Sequence, residues 1–303
     1  MFEKTNVTIC DFQGPLTEED IARLAQDDEV RLVRPWGGYL PGKRDLSLLN
    51  GFFRSRPEVW FRVTSPGQLR LLPAAQLVSE AVEGDFGENL NDLECLEHLR
   101  GVRLVERDVS PLLPYCDALD EVALEGRLRK SAGGVLSRMR RLHSLSLEGT
   151  TLESFECLEG LPLRNLYVYG SRPADPSPIG KLAELRSIRV KNNSSWRDLG
   201  FISHLSRLES TSFEYCSKVT KVPPLDGLRN LRRVRFTNCN MLEDIASLWR
   251  LPRDCEILAT GSTLSRERIS YHYEPGAGLQ DWCREHSTNL PSERPGQQEE
   301  DQQ

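Results

Sequence analysis

Leu208–Arg253 reads LESTSFEYCSKVTKVPPLDGLRN followed by LRRVRFTNCNMLEDIASLWRLPR, two copies of one pattern. Split after Asn230, the halves superpose with Leu208 on Leu231, Thr211 on Val234, Phe213 on Phe236 and Cys216 on Cys239. Val219, Val222, Leu225 and Leu228 then fall on Leu242, Ile245, Leu248 and Leu251. Every matched position is apolar or small, whereas the residues between them vary. A fixed period of about 23 residues marks a solenoid, in which each unit buries its apolar face only against its neighbours.

Working outward, each unit opens with two apolar residues spaced for one face of a short strand. Backwards from the clean repeats these are Ile188 and Val190, Leu166 and Val168, Leu145 and Leu147, Val122 and Leu124, then Val102 and Leu104. The step stays between about 20 and 23 residues. The next step back lands on Glu80 and Val82, where the apolar pattern is poor and the register is open to slippage. Val59 with Phe61, Val30 with Leu32, and Val7 with Ile9 continue the series to the amino terminus.

Thr17-Glu18-Glu19-Asp20 reads as a capping box that opens a helix through about Ala25, with Ile21 and Leu24 facing inward. The step from Val30 to Val59 is longer, and its excess, RPWGGYLPGKRD, is a Pro- and Gly-rich loop before a helical segment Leu46–Arg54. Later connections, among them LECLEHL, VLSRMRRL, FECLEGL, IGKLAEL, LGFISHLSRL and IASLWRL, carry apolar residues three or four apart. That spacing suits one or two turns of α- or 3-10 helix on the outside of the sheet. After Arg253, Ile257 and Ala259 keep the spacing, and Leu264–Glu274 reads as a strand closing the open edge. From Pro275 the composition turns to Pro, Gly, Gln and Glu, which cannot bury enough apolar surface to offset ordering entropy.

The pattern L-x-x-L-x-F-x-x-C-x-x-L resembles the leucine-rich repeat. The resemblance implies an α/β horseshoe solenoid with a concave parallel sheet of about ten strands and short convex α- or 3-10 helices. The expected organisation is a solenoid over residues 1–274, with atypical capping units at 1–57 and 254–274, and a disordered tail at 275–303. Cys216 and Cys239 should stack in adjacent repeats, in a column that the preceding units fill with Thr150, Ser171 and Asn193. Polar side chains in that column can satisfy the backbone groups of the buried turns.

A net charge of −6 over 303 residues argues against a general nucleic-acid or membrane-surface binder. The eight cysteines form no C-x-x-C pair and no zinc-finger spacing. Most occupy equivalent repeat positions, where a small apolar residue fits, which implies reduced thiols and a cytoplasmic location. Nothing before Leu24 reads as a signal peptide, and no apolar run of ~18 residues spans a bilayer. A monomer without cofactor or metal is the expected form.

One local motif competes with the repeat reading. GGYLPGKR, Gly37–Arg44, matches G-x-x-x-x-G-K after a strand, as a phosphate-binding loop would. Arg44 stands where magnesium binding needs Ser or Thr, however, and Pro41 removes an amide from the cradle. The five histidines form no H-E-x-x-H, and none accompanies a G-x-S-x-G nucleophile. No catalytic constellation emerges.

The residues alternating with the core positions face the open side of the sheet. Glu121, Ala123 and Glu125 are followed by Ser144, Ser146 and Glu148, then Asn165, Tyr167 and Tyr169. Ser187, Arg189 and Lys191 come next, then Ser210, Ser212 and Glu214, then Arg233, Arg235 and Thr237. Two tyrosines thus sit near the middle of the arc, with acidic residues on their amino-terminal side and basic ones beyond. Central aromatics among opposite charges suit a protein partner, because binding hot spots favour Tyr and Arg. About ten strands ~4.8 Å apart give an inner arc of roughly 50 Å, room for a protein module or a long peptide. Resemblance to stand-alone intracellular leucine-rich repeat proteins, including those of bacteria, implies a non-catalytic interaction protein. An adaptor or recognition subunit of an enzyme system, or an immunity protein that neutralises a toxin, is the alternative.

Overall fold

Strict alternation of buried and outward residues at a fixed period forces successive strands into one sheet. The computed structural model describes residues 2–4, 9–63, 76–80, 99–104, 108–171, 175–244, 247–248, 251, 255–260 and 271–273. Within them runs a single sheet of fourteen strands in simple sequence order, β1 to β14. The first six are β1 (Phe2–Lys4), β2 (Ile9–Phe12), β3 (Leu32–Pro35), β4 (Trp60–Val63), β5 (Gln76–Glu80) and β6 (Leu99–Leu104). Next come β7 (Glu121–Glu125), β8 (Ser144–Glu148), β9 (Asn165–Tyr169) and β10 (Ser187–Lys191). The last are β11 (Ser210–Glu214), β12 (Arg233–Thr237), β13 (Glu256–Thr260) and β14 (Tyr271–Tyr273).

From β7 to β13 the register is unbroken, so the paired core positions stack as two apolar columns. Leu145, Leu147, Leu166, Val168, Ile188, Val190, Phe213, Val234 and Phe236 are all buried. Each such side chain contributes about 1.5–3 kcal/mol when removed from water. The convex side is built from short pieces. Helix α3 (Ala132–Leu136) is followed by 3-10 turns at Phe155–Leu158, Ser177–Lys181 and Gly200–His204. Trp196, buried behind the sheet, meets Phe155 and Phe201 edge-on at 5.9 and 5.8 Å. Of LECLEHL only Leu99 is described, and it opens strand β6 instead of ending a convex helix, while most of IASLWRL lies outside the described residues.

The ends differ from the sequence expectation. The expected parallel sheet of about ten strands is present, with twelve parallel strands among the described residues, and it is flanked by β1 and β14, each antiparallel to its neighbour. These three-residue strands leave only short edges, which limits edge-to-edge pairing. In β3 the register is set by Val33 and Pro35, aligned with Cys10 and Phe12 of β2, and not by Val30 and Leu32. Val30 is buried, but in the turn that precedes the strand, and Leu32 has the opposite parity. Likewise the pair in the first unit is Cys10 and Phe12, whereas Val7 lies outside the described residues. Of the pair Glu80 and Val82, Val82 lies outside the described residues. Strand β5 ends at Glu80, with a register shift between Leu77 and Val78, so that Ser79 aligns with Val102. Of the closing segment Leu264–Glu274, the described part is Tyr271–Tyr273, and the 275–303 tail lies outside the described residues.

Thr17 caps α1 (Glu18–Ala25) through a reciprocal hydrogen-bond pair with Asp20, and Leu24 is buried on its inner face. The GGYLPGKR loop leads into α2 (Lys43–Ser55), and its Gly42 amide and Tyr39 hydroxyl serve a carboxylate of the same chain. Buried Asp45 accepts from Leu16 N–H at 2.9 Å, Gly42 N–H at 2.8 Å and the Tyr39 hydroxyl at 2.7 Å. An anion held there by the protein itself leaves no phosphate cradle. Burial would raise the Asp45 pKa, but these three hydrogen bonds outweigh it and hold the carboxyl below its ordinary value.

Burial and the same Asp45 push the Tyr39 hydroxyl up to about 12. A phenol raised on folding stabilises the native state fully below its unfolded pKa of about 10 and loses that contribution as pH climbs through the folded value. The gap in melting temperature between the wild type and Tyr39→Phe should therefore be constant near neutrality. It should narrow above about pH 10 and close near 12. Thermal unfolding of both proteins across that range checks it, and a gap that widens with pH contradicts the assignment.

Candidate concave binding face

Strand alternation places Glu121, Glu125, Glu148, Tyr167, Tyr169, Arg189, Lys191, Glu214, Arg233 and Arg235 in the outward columns of β7 to β12, as the sequence implies. At the centre the Tyr167 and Tyr169 rings lie nearly parallel, 18° apart, with centroids 6.3 Å apart. Register alignment of Arg189 with Tyr167 and Lys191 with Tyr169 brings a cation to each ring. The Arg189 guanidinium is 5.6 Å from the Tyr167 centroid and the Lys191 ammonium 5.7 Å from that of Tyr169. These distances fall within the range of cation–π attraction. Partial burial pushes the Tyr167 hydroxyl up, with Arg189 and Lys191 opposing the shift.

Charges on this face pair across strands to a degree the linear sequence does not reveal. On the amino-terminal side Arg103 of β6 bridges Glu125 at 2.8 Å and Glu148 at 3.4 Å. Glu121 lies at the exposed end of β7, its carboxyl pushed up by desolvation at the sheet and by Asp120. On the other side Glu214 takes Arg189 at 2.7 Å and Lys191 at 3.8 Å. Glu256 of β13, which the sequence reading did not single out, takes Arg235 and Arg233, both at 2.7 Å. Hydrogen bonds from these two arginines hold its carboxyl below the ordinary range. The polarity of the face survives this pairing. Before the tyrosines two carboxylates share the one guanidinium of Arg103 and Glu121 adds a third acid beside them, and after the tyrosines four cations meet two carboxylates.

The amino-terminal strands add an aromatic feature. Arg34 pairs with buried Asp11, Nη2 to Oδ2 at 3.1 Å, and lies 4.6 Å from the ring centroid of exposed Trp36. Glu58, at the turn before β4, is held by Arg56. At the far end of the strands, the Thr150, Ser171, Asn193, Cys216, Cys239 column is buried and hydrogen-bonded. The Ser171 hydroxyl donates to Leu147 C=O at 2.9 Å and accepts from Thr150 N–H at 3.1 Å. Asn193 donates to Ser171 C=O at 3.1 Å and accepts from Ser195 and Trp196 N–H, both at 2.9 Å. Cys216 and Cys239 direct their thiols at Val190 and Phe213 carbonyls. The Cys216 thiol is pushed up by its hydrogen bond with Cys239 and by burial, which suits packing and not reactivity.

Among the described residues, no group of three or more His, Cys, Asp or Glu side chains could hold a metal ion. None of their helices is long and apolar enough to cross a membrane. No protein-family model matches the chain, and no curated protein matches it. Solved structures do. An internalin from Listeria monocytogenes is 17% identical over 84% of this chain and 74% of its own, with a TM-score of 0.55. Internalin C2 of the same organism is 23% identical over 62% of this chain and 81% of its own, at 0.46. A leucine-rich repeat protein of Leptospira interrogans is 16% identical over 66% and 52%, at 0.43. The first of these matches, together with the parallel one-strand-per-repeat sheet and its polar turn column, identifies the architecture: the chain has the leucine-rich repeat fold.

Proposed function

We propose that this chain is a non-catalytic binding protein that holds a protein partner on the concave face of its sheet. One observation carries the reading: Tyr167 and Tyr169 stand side by side, half-buried, between an acidic and a basic half of the same face. Half-buried tyrosines offer large apolar area at low entropic cost, and the flanking charges orient and steer the incoming partner. The arginines of these pairs are about half exposed although Glu214 and Glu256 are largely covered, so the pairs add modestly to fold stability and the cations stay open to a partner's carboxylates. Leucine-rich repeat folds commonly serve protein–protein interaction, in keeping with this assignment.

A photoreactive amino acid installed at position 189 on the concave face, or at 140 on the turn leading back to β8, tests the geometry. In extracts of the native host, position 189 should give a discrete crosslinked species that position 140 does not. Crosslinks from 140 alone would place binding on the convex side.

A further inference from the structure

Each described turn after strands β7 to β12 passes through a left-handed residue. The column reads Gly126, Gly149, Gly170, Asn192, Tyr215 and Asn238, with φ between 54° and 93°. Amides in the first five of these turns donate to the neighbouring repeat, Tyr215 N–H to Thr237 C=O at 2.8 Å among them. A Cβ built on any of the three glycines meets nothing within 4 Å, so the column is selected by backbone conformation and not by crowding. Glycine enters this region without penalty and asparagine tolerates it, but a bulky aromatic does not. Tyr215 is the anomaly, and its side chain does not enter the core to compensate. It is 51% exposed.

A strained residue whose side chain the core does not bury points to a role for that side chain at the surface. Tyr215 directly follows Glu214, which is in register with Lys191 and, through it, with Tyr169. Two strand spacings, about 10 Å, separate those positions, a span that three residues of extended chain cover. Met241, 49% exposed, lies on the equivalent turn of the next repeat. The adjoining half of the face carries its excess of cations. We propose that the concave site continues over this rim to Tyr215, and that the rim receives an extended acidic segment of the partner protein bearing apolar or aromatic side chains. This proposal rests on the concave-face reading and names the chemistry of what that face takes.

The full chain is titrated with a random copolymer of glutamate and tyrosine, with polyglutamate as the charge control and polylysine as the opposite charge. The copolymer should bind more tightly than either, and Tyr215→Asn should weaken it about tenfold while leaving polyglutamate unchanged. Relief of the left-handed strain should at the same time raise the melting temperature by about 2 °C. A purely structural tyrosine would lower it instead. Unchanged copolymer affinity in Tyr215→Asn, a fall in its melting temperature, or preference for polylysine overturns the proposal. If Tyr167→Ala with Tyr169→Ala weakens the copolymer and Tyr215→Asn does not, the concave-face reading stands and the rim falls. The reverse result would leave Tyr215 as a separate site and overturn both the concave centre and its continuation over the rim.

Discussion

Replacing both Tyr167 and Tyr169 by alanine should lower affinity for the proposed protein partner by about thirtyfold or more, the cost of truncating a central hot spot of ~2 kcal/mol. The rings stack on each other and draw Arg189 and Lys191 over them, so the double variant removes the apolar centre and loosens two cations together. Both side chains are only half-buried on the open face, so melting temperature should change little while binding collapses. Rim charges should behave differently. Glu121→Gln should alter the association rate and its salt dependence more than the dissociation rate. Calorimetric titration of the folded double variant decides the matter. Affinity equal to the wild type moves the partner off this face.

The largest stability effect is expected at a residue that touches no partner. Asn193→Ala removes one donor to Ser171 C=O and one acceptor shared by the Ser195 and Trp196 amides. Asn193 is 1% exposed, so water has no ready access to replace it. At 1–3 kcal/mol for each buried group deprived of its partner, the loss should reach about 4 kcal/mol, or roughly 10 °C in a domain of this size. The effect is transmitted because this turn anchors Trp196, which packs against Phe155 in the unit opened by β8 and against Phe201 of its own repeat. Thermal unfolding of Asn193→Ala beside an exposed control with ordinary backbone geometry, such as Ser194→Ala, separates the buried column from the surface turn. A change under about 1 kcal/mol in Asn193→Ala would mean that the turn re-satisfies itself.

In β6 to β13 the repeat was legible from sequence, because one unbroken period specifies both the pairing partner and the inward parity of every strand. Leu166 and Val168 must share a face, and a one-residue slip would bring Asn165 and Tyr167 into the core. The outward columns follow by the same parity, which is why Tyr167, Arg189 and Arg235 could be placed on one surface before any coordinates. The capping box at Thr17 was equally local, needing only residues three apart. Parity becomes ambiguous where apolar residues are adjacent. Val30, Leu32 and Val33 offer two registers, and burial of Val30 in a turn, not a strand, decides between them.

Other features depend on contacts that sequence spacing does not encode. Asp45 finds Leu16 across 29 positions, turning a loop that resembles a phosphate cradle into a self-capped helix start. Arg103 reaches Glu148 across 45, and Glu256 gathers Arg233 and Arg235, so the balance of charge on the open face is set by side-chain reach between stacked strands. Tyr215 shows its strain only once the turns are laid side by side, in a column otherwise glycine and asparagine. The sequence by itself determined the solenoid, its parity and the composition of its open face, because a periodic apolar pattern has one economical burial. Which charges neutralise one another, how the ends are closed and which turn carries strain were decided by tertiary structure, since each depends on distances across repeats and not along the chain.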